Sequence, residues 1–327
     1  MQINSPESSS LSARLVEVGS DYHGQRIDNF LLRLCKGVPK SHVYKVIRSG
    51  QVRVNRGRVQ ADYRLSAGDI VRVPPLKVPQ EVPRFVPGSE FPVVYEDDVL
   101  LVIDKPAGVA AHGGSGVAFG VIEQLRAARP QARFLELVHR LDRETSGLLM
   151  VAKKRKALVE LHAALRDGRV TKRYLALVEG DWVNARQHIR LPLQKWTTRS
   201  GERRVRVDAE GQAAHTIVSL VERLGRFSLV EAELRTGRTH QIRVHLAASG
   251  FPIVGDDKYG NDATRDAFAR QLGFRRMFLH AHTLQLAHPV TGEAMILEAP
   301  LPPECVRLLG LLRDDNAPDA AGRHEEE

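Results

Sequence analysis

The sequence predicts an α+β protein in two parts: a small basic N-terminal domain, then a larger domain built on a mainly antiparallel sheet. Three observations carry this. Apolar residues at helical spacing near the start give way to short strands, and six of the 17 prolines then crowd between residues 74 and 92. Beyond them, apolar runs separated by turn residues read as hairpins rather than as regular strand–helix alternation.

In the first part, Ile27, Phe30, Leu31 and Leu34 predict an amphipathic helix over residues 26–35, punctuated by Gly37 and Pro39. Ser41 is placed to cap a second helix that carries Val43, Val46 and Ile47 and ends at Gly50. Residues 51–54 and 70–73 read as strands, with Asn55-Arg56-Gly57 as the turn between them. The polar, serine-rich residues 1–12 are expected to be disordered, residues 13–78 to form the first domain, and residues 79–92 to be a semi-rigid linker.

The second domain is expected over residues 93–313, followed by a disordered acidic tail over 314–327. In VVYEDDVLLVIDKPAG two short strands flank Glu96-Asp97-Asp98, and residues 173–178 form another strand. Residues 214–222 and 226–235 pair through Leu224-Gly225, and residues 282–287 and 293–298 through Thr291-Gly292. Residues 239–248 read as a helix.

At 327 residues, 43% of them hydrophobic, the chain is long enough to bury two cores. The longest aliphatic run near the middle, residues 99–103, is far too short to cross a bilayer. MQINSPESSS lacks the basic start and apolar core of a secretory signal. The two cysteines, Cys35 and Cys305, are remote in sequence and read as small buried hydrophobes. Together these predict a cytoplasmic protein with no membrane partner; a monomer is expected.

The net charge of +9 points to a polyanionic partner, and its distribution is sharper: residues 1–80 alone hold 13 basic against 6 acidic residues. Lys40, Lys45, Arg48, Arg53, Arg56 and Arg58 crowd the helix–turn–strand segment, with acids absent between Asp28 and Asp62. This predicts a phosphate-binding face rather than a merely solvated one.

Chemistry concentrates in ELVHRLDRETSGLLMVAKK, residues 136–154, where a polar loop abuts an apolar strand. Read alone, Asp142 could be a turn cap paired to Arg143, and Arg140 could bridge to Glu136 or Glu144. KRYLALVEG, residues 172–180, holds Tyr174, which alone would be a strand core residue. RTGRTHQIRVHLAASG, residues 235–250, holds Arg243, which alone would be a surface residue on a helix.

Taken together, the three segments change that reading. HRLDRETSG resembles the signature of the large-subunit-type pseudouridine synthases, and the other two match that family in order. The resemblance extends through AHGGSGVAFGVIEQLRAARPQARFLELVH and FLHAHTLQLAHPVTGE, covering the chain from Gly24 to about Pro300. Residues 24–78 resemble the S-four-type αL RNA-binding module. The resemblance implies a mixed, mainly antiparallel pseudouridine synthase sheet and isomerisation of several uridines in large-subunit (23S) rRNA. It implies Asp142 as the essential carboxylate, Arg243 as its partner, Tyr174 against the target base, and Arg140 in the space left by the flipped nucleotide. A sister enzyme acting on other rRNA or tRNA uridines is the alternative within this chemistry. A non-catalytic assembly factor would need only the basic module.

Uridine becomes pseudouridine by glycosidic cleavage, rotation of the uracil and rejoining through carbon five. Nothing is oxidised and no group is imported, so no cofactor is expected. Neither GxxxxGK[ST], nor GxGxxG after a strand, nor HExxH occurs. His139, His240, His245, His280 and His282 lack a recognised ligand spacing, so no metal is expected, and the glycine-rich residues 112–116 read as a loop near RNA. A carboxylate can capture the sugar or add to the base, and a guanidinium alongside favours its charged form. Tyr174 is a candidate base for the carbon-five proton.

Overall fold

The computed structural model describes residues 13–35, 37–76, 86–114, 117–198 and 201–315. Contacts divide the chain into two compact units, residues 1–85 and 86–327. The expected disordered start, residues 79–85 of the expected linker, part of the glycine-rich loop and residues 316–327 of the expected tail lie outside the described residues. Residues 86–92 hold neither helix nor strand.

The first unit comprises β1 (Arg14–Glu17), α1 (Ile27–Leu34), α2 (Lys40–Arg48), β2 (Arg53–Val54), β3 (Gly57–Arg58) and β4 (Ile70–Val73), with strand order β1-β4-β2-β3. The helical spacing does what its period requires: Ile27, Phe30 and Leu31 of α1 and Val43, Val46 and Ile47 of α2 bury against Val54, Val71 and Val73. Two local expectations are corrected. The N-cap of α2 is Pro39, with no side-chain cap, so Ser41 lies inside the first turn; proline's restricted φ presets the chain's entry into the helix. Asn55-Arg56 joins β2 to β3 rather than to β4. Their φ values of 48° and 70° are those a tight hairpin turn demands. Asn55 stabilises it by donating to Asp69 and accepting from the Ile70 amide, both at 2.8 Å.

The second unit comprises β5 (Val93–Glu96), β6 (Leu100–Lys105), α3 (Val121–Ala128), β7 (Glu136–Leu137), β8 (Ser146–Ala152), α4 (Arg155–Arg166), β9 (Thr171–Glu179), β10 (Arg186–Ile189), β11 (Leu193–Thr197) and β12 (Arg203–Val207). It continues with β13 (Thr216–Leu224), β14 (Phe227–Leu234), α5 (Gln241–Ala248), α6 (Asp262–Gln271), β15 (Leu279–Ala287), β16 (Ala294–Glu298) and α7 (Pro303–Asp315). A ten-stranded sheet runs β10-β13-β14-β9-β15-β8-β6-β5, with β16 on β15 and β7 on β8; β11 and β12 form a separate ribbon. Every pairing is antiparallel except β8 with β15, so the sheet is mixed and mainly antiparallel. The three expected hairpins form, and the expected helix near 239–248 begins at Gln241.

Both faces of the central strands are covered, which is why β8 reads as an unbroken apolar run instead of alternating. Leu148, Met150 and Ala152 pack with Ala157 and Leu161 of α4. Leu149 and Val151 pack on the opposite face with Val121, Ile122 and Leu125 of α3. On β9, Tyr174, Ala176 and Val178 share that second face with Ile242 and Leu246 of α5, whereas Leu177 packs with α6 and α7 residues Phe268 and Leu308. The period of two thus places Tyr174 on the face that carries α5.

Gly147 marks where the parallel pairing is tightest. It lies opposite Ala281 at φ 105°, and a Cβ there would drive into the Ala281 carbonyl. Backbone cannot swing aside as a side chain can, so Gly147→Ala is expected to cost more than about 3 kcal/mol. Chemical denaturation of the purified variant measures this; a loss within 1 kcal/mol of wild type would contradict it.

Candidate active site

Asp142 sits on the loop between β7 and β8. The loop closes on itself, with the Thr145 amide donating to the Asp142 carbonyl at 3.2 Å. The neighbouring Arg143 carbonyl accepts from the Gly108 amide at 2.9 Å and from Lys105 Nζ at 3.1 Å. Lys105 is fully buried and also donates to the Pro106 and Val109 carbonyls, at 2.7 and 2.8 Å. Burial draws its pKa down to about 7, against the pull of Glu144. Three carbonyls fill an ammonium's donor capacity, so Lys105 ties the end of β6 to the loop that carries Asp142. Below the loop, the buried Ser146 hydroxyl meets Arg276 Nη2 at 2.6 Å and His280 Nδ1 at 2.8 Å.

Arg243 approaches from α5. It is only 3% exposed, not a surface residue. Its Nε and Nη2 donate to the two oxygens of Asp256 at 2.7 and 2.6 Å, Nη2 also reaches Asp257 at 3.0 Å, and Nη1 donates to Asp142 Oδ2 at 3.3 Å. The forked pair with Asp256 is the strong form of such a contact. Burial opposes the guanidinium's charge, but the hydrogen bonds and field of Asp256, with Asp142 and Asp257, hold its pKa above the ordinary value. Asp256 is raised by burial and more than compensated by Arg243 and by the amides of Lys258 and Tyr259, so it lies below the ordinary range. The guanidinium also lies over the Tyr259 ring, 5.2 Å from its centre.

The loop before α5 depends on Gln241. Its Oε1 accepts from the Thr236 hydroxyl and the Arg238 amide, and its Nε2 donates to the His215 carbonyl and the Thr216 hydroxyl. His240 precedes it at φ 53°. Its Nδ1 meets the Tyr259 hydroxyl at 2.8 Å, and its Nε2 lies 3.9 Å from Asp142 Oδ1.

Asp142, Arg243, Tyr174 and Arg140 all line one open cleft of about 750 Å³. A second cleft, of about 570 Å³, shares His112, Arg140, Leu141, Asp142, His240 and Arg243 with it. Asp142 therefore stands where the two meet. Both volumes suit a small ligand group. Burial, and then the charge of Asp142, push the Tyr174 phenol's pKa up, so at neutral pH it keeps its proton. Arg140 is exposed, and no described residue pairs with it: Glu136 is engaged by Arg126 at 2.9 Å and Glu144 by Arg143 at 2.7 Å.

The six basic residues singled out in the first unit are all exposed. Lys40, Lys45 and Arg48 lie on α2, Arg53 on β2, Arg56 in the turn and Arg58 on β3; no described acid pairs with any of them. The sequence reading missed Asp256, Asp257, Tyr259 and the placement of His240. Its one usable signal was the acidic pair in IVGDDKYG, since an arginine buried on a helix requires a carboxylate nearby.

Comparison with known proteins identifies the class. Residues 99–248 match the RNA pseudouridylate synthase family and residues 25–71 the S4 domain. The chain belongs to the RNA pseudouridylate synthase family. Within it, the chain is 50% identical over 315 residues to ribosomal large subunit pseudouridine synthase C of Pasteurella multocida, covering 94% of this chain and 96% of that one. It is 49% identical to the protein of the same name from Escherichia coli K12, covering 93% and 98%. Among solved structures, human RNA pseudouridylate synthase domain containing 1 superposes with a TM-score of 0.55 at 29% identity, covering 70% of this chain and 98% of that one. Human RNA pseudouridylate synthase domain containing 4 gives 0.56 at 26%, covering 68% and 93%.

Removing the Asp256 charge tests the clamp. Asp256→Asn leaves Arg243 buried with weaker partners, and about 3 kcal/mol or more of stability is expected to be lost at pH 7. The sign of its pH dependence follows from the lowered Asp256 pKa. The unfolded chain takes up the proton first as pH falls, so the wild-type advantage is full above about pH 5 and shrinks below about 4. Urea denaturation of both proteins from pH 7 to 3 measures the gap; a constant gap would contradict this account.

Proposed function

We propose that this chain isomerises uridines of large-subunit (23S) ribosomal RNA to pseudouridine, with Asp142 as the reacting carboxylate. The observation that carries the reading is the contact between Asp142, which lines both clefts, and the buried Arg243. Asp142 Oδ2 accepts from Arg243 Nη1 at 3.3 Å, and among the described residues no donor lies within hydrogen-bond reach of Oδ1. The names of the relatives support the rRNA target.

In this reading the target nucleotide leaves the stack and enters the larger cleft. Arg140, exposed and without an ion-pair partner among the described residues, occupies the space left behind. The bond between C1′ and N1 breaks, the uracil rotates, C5 bonds to C1′, the proton on C5 departs, and N1 takes up a proton, so the product is an isomer of the substrate. Asp142 supplies negative charge at the sugar or base. Arg243 orients that charge and cannot follow it, because Asp256 fixes both ends of its fork. Tyr174, buried on β9, supplies a flat wall for the base. With its proton retained, it enters as a stacking surface and hydrogen-bond donor, and serves as a base only where the reaction itself lowers the cost of ionisation.

The exposed cations of the first unit, Lys40, Lys45, Arg48, Arg53, Arg56 and Arg58, are the proposed backbone contacts, reading RNA by shape and phosphate. Action by a monomer in the cytoplasm completes the proposal; among the described residues no helix is long and apolar enough to cross a membrane.

Two outcomes are expected. Asp142→Asn forms no pseudouridine in chemical mapping of rRNA, while its RNA affinity stays within about twofold of wild type; wild-type-like turnover would sink the central claim. Deleting residues 1–85 weakens rRNA binding by about tenfold or more and flattens its salt dependence, with the second unit still folded. Unchanged affinity in filter binding would remove the role given to the first unit.

A further inference from the structure

The chain of contacts from β12 to Asp142 determines where one proton lies. The Val205 amide donates to the Tyr259 hydroxyl oxygen at 2.9 Å. That hydroxyl has one proton to give, and His240 Nδ1 lies 2.8 Å away. Among the described residues no other acceptor lies within reach of that proton, so Nδ1 accepts it and the neutral imidazole carries its own proton on Nε2. Burial keeps the ring neutral, with Arg243 and Lys258 reinforcing and Asp142 opposing. The backbone contributes too: His240 holds φ 53° and ψ 21°, a conformation few side chains adopt, at the turn where Gln241 anchors α5. Strain retained beside reacting groups is a reason to ask what it positions.

What it positions is a donor. His240 Nε2–H faces Asp142 Oδ1 across 3.9 Å, too far for a hydrogen bond, while Asp142 Oδ2 is committed to Arg243. Both side chains remain partly open to solvent, 14% and 27%. One acceptor and one donor so spaced suit a single group that both donates and accepts, seated about 2.8 Å from each. Uracil carbonyls and phosphates only accept, and the uracil N3–H only donates. The 3′ and 5′ oxygens of a nucleotide inside an RNA chain are esterified. The ribose 2′-hydroxyl is the one group left that does both.

We infer that His240 Nε2–H and Asp142 Oδ1 together hold the 2′-hydroxyl of the flipped uridine, making His240 a specificity-determining residue for ribose, with Tyr259 as the positioning residue that sets its tautomer. The inference rests on the pseudouridine synthase reading. It places the sugar at the wall shared by the two clefts, where Asp142 reaches C1′ and C2′.

The test uses the full-length protein and two RNAs that carry a mapped target, identical except for uridine or 2′-deoxyuridine at that position. His240→Gly removes the imidazole at a backbone conformation glycine accepts freely, so the fold is kept. On uridine RNA this variant is expected to lose about tenfold in single-turnover rate, the worth of one hydrogen bond. On deoxyuridine RNA it stays within about twofold of wild type. Where the deoxy RNA gives no product, its inhibition constant is read instead, with the same twofold limit. Equal losses on both RNAs overturn the inference, since a structural role or a bridging water would act on both alike. No pseudouridine from wild type on uridine RNA would instead overturn the underlying reading. The second arm is spectroscopic: 15N resonances of His240, assigned by their loss in His240→Gly, show the Nε2–H pattern in wild type and a tautomer mixture in Tyr259→Phe. An Nδ1–H pattern in wild type, or no change in Tyr259→Phe, overturns the tautomer assignment and the inference with it.

Discussion

The site depends on the ion pair between Arg243 and Asp256. A guanidinium buried to this depth is unfavourable unless its donors are met, and Asp256 meets two with a matched fork. Asp256 is in turn held by the amides of Lys258 and Tyr259, so the cation's position is set by backbone. That turn exists because Gly255, at φ 78°, lies so close to the Arg276 carbonyl that no Cβ fits. Asp142 therefore meets a charge that was oriented before any substrate arrived, the arrangement in which electrostatic stabilisation costs least reorganisation.

Around that pair, the rest of the unit acts as support. Lys105 draws three carbonyls together behind Asp142, and Ser146 joins Arg276 to His280 beneath it. Gln241 spends all four of its hydrogen-bonding positions on the loop before α5. Each is a buried polar group with its partners supplied by protein. Such groups cost free energy when left unpaired, and here they restrict the loops to one arrangement.

Much of this was legible in the sequence because period and punctuation are local. Ile27, Phe30 and Leu31 declared α1 by spacing alone, and Thr291-Gly292 marked the β15–β16 hairpin. Asp142, Tyr174 and Arg243 were legible through the segments that carry them, and they line one cleft. What stayed hidden was set by distant packing. Helices α3, α4 and α6 and the β11–β12 ribbon sit where apolar spacing is diluted by charge, as in ERRVRVD. Asp256 and Tyr259 matter only because the chain returns to Arg243 after a 13-residue excursion, which no local pattern records. Ser41 was misplaced because its residue type suits a cap, while Pro39, two residues earlier, already supplies the geometry.

The carboxylates around the cleft separate this chemistry from glycoside hydrolysis. A hydrolase of that kind uses two acids flanking one bond, each free to exchange a proton or bind a sugar. Here Glu123 is occupied by the amides of Gly113 and Gly120, Glu136 by Arg126, Glu144 by Arg143, and Asp256 and Asp257 by Arg243. Among the carboxylates lining the larger cleft, Asp142 is the one that Arg243 holds, through Oδ2, while its Oδ1 lies 3.9 Å from His240 Nε2. One free carboxylate can open and reclose a glycosidic bond on the same nucleotide. The proposed isomerisation needs one such carboxylate and no second acid to activate water.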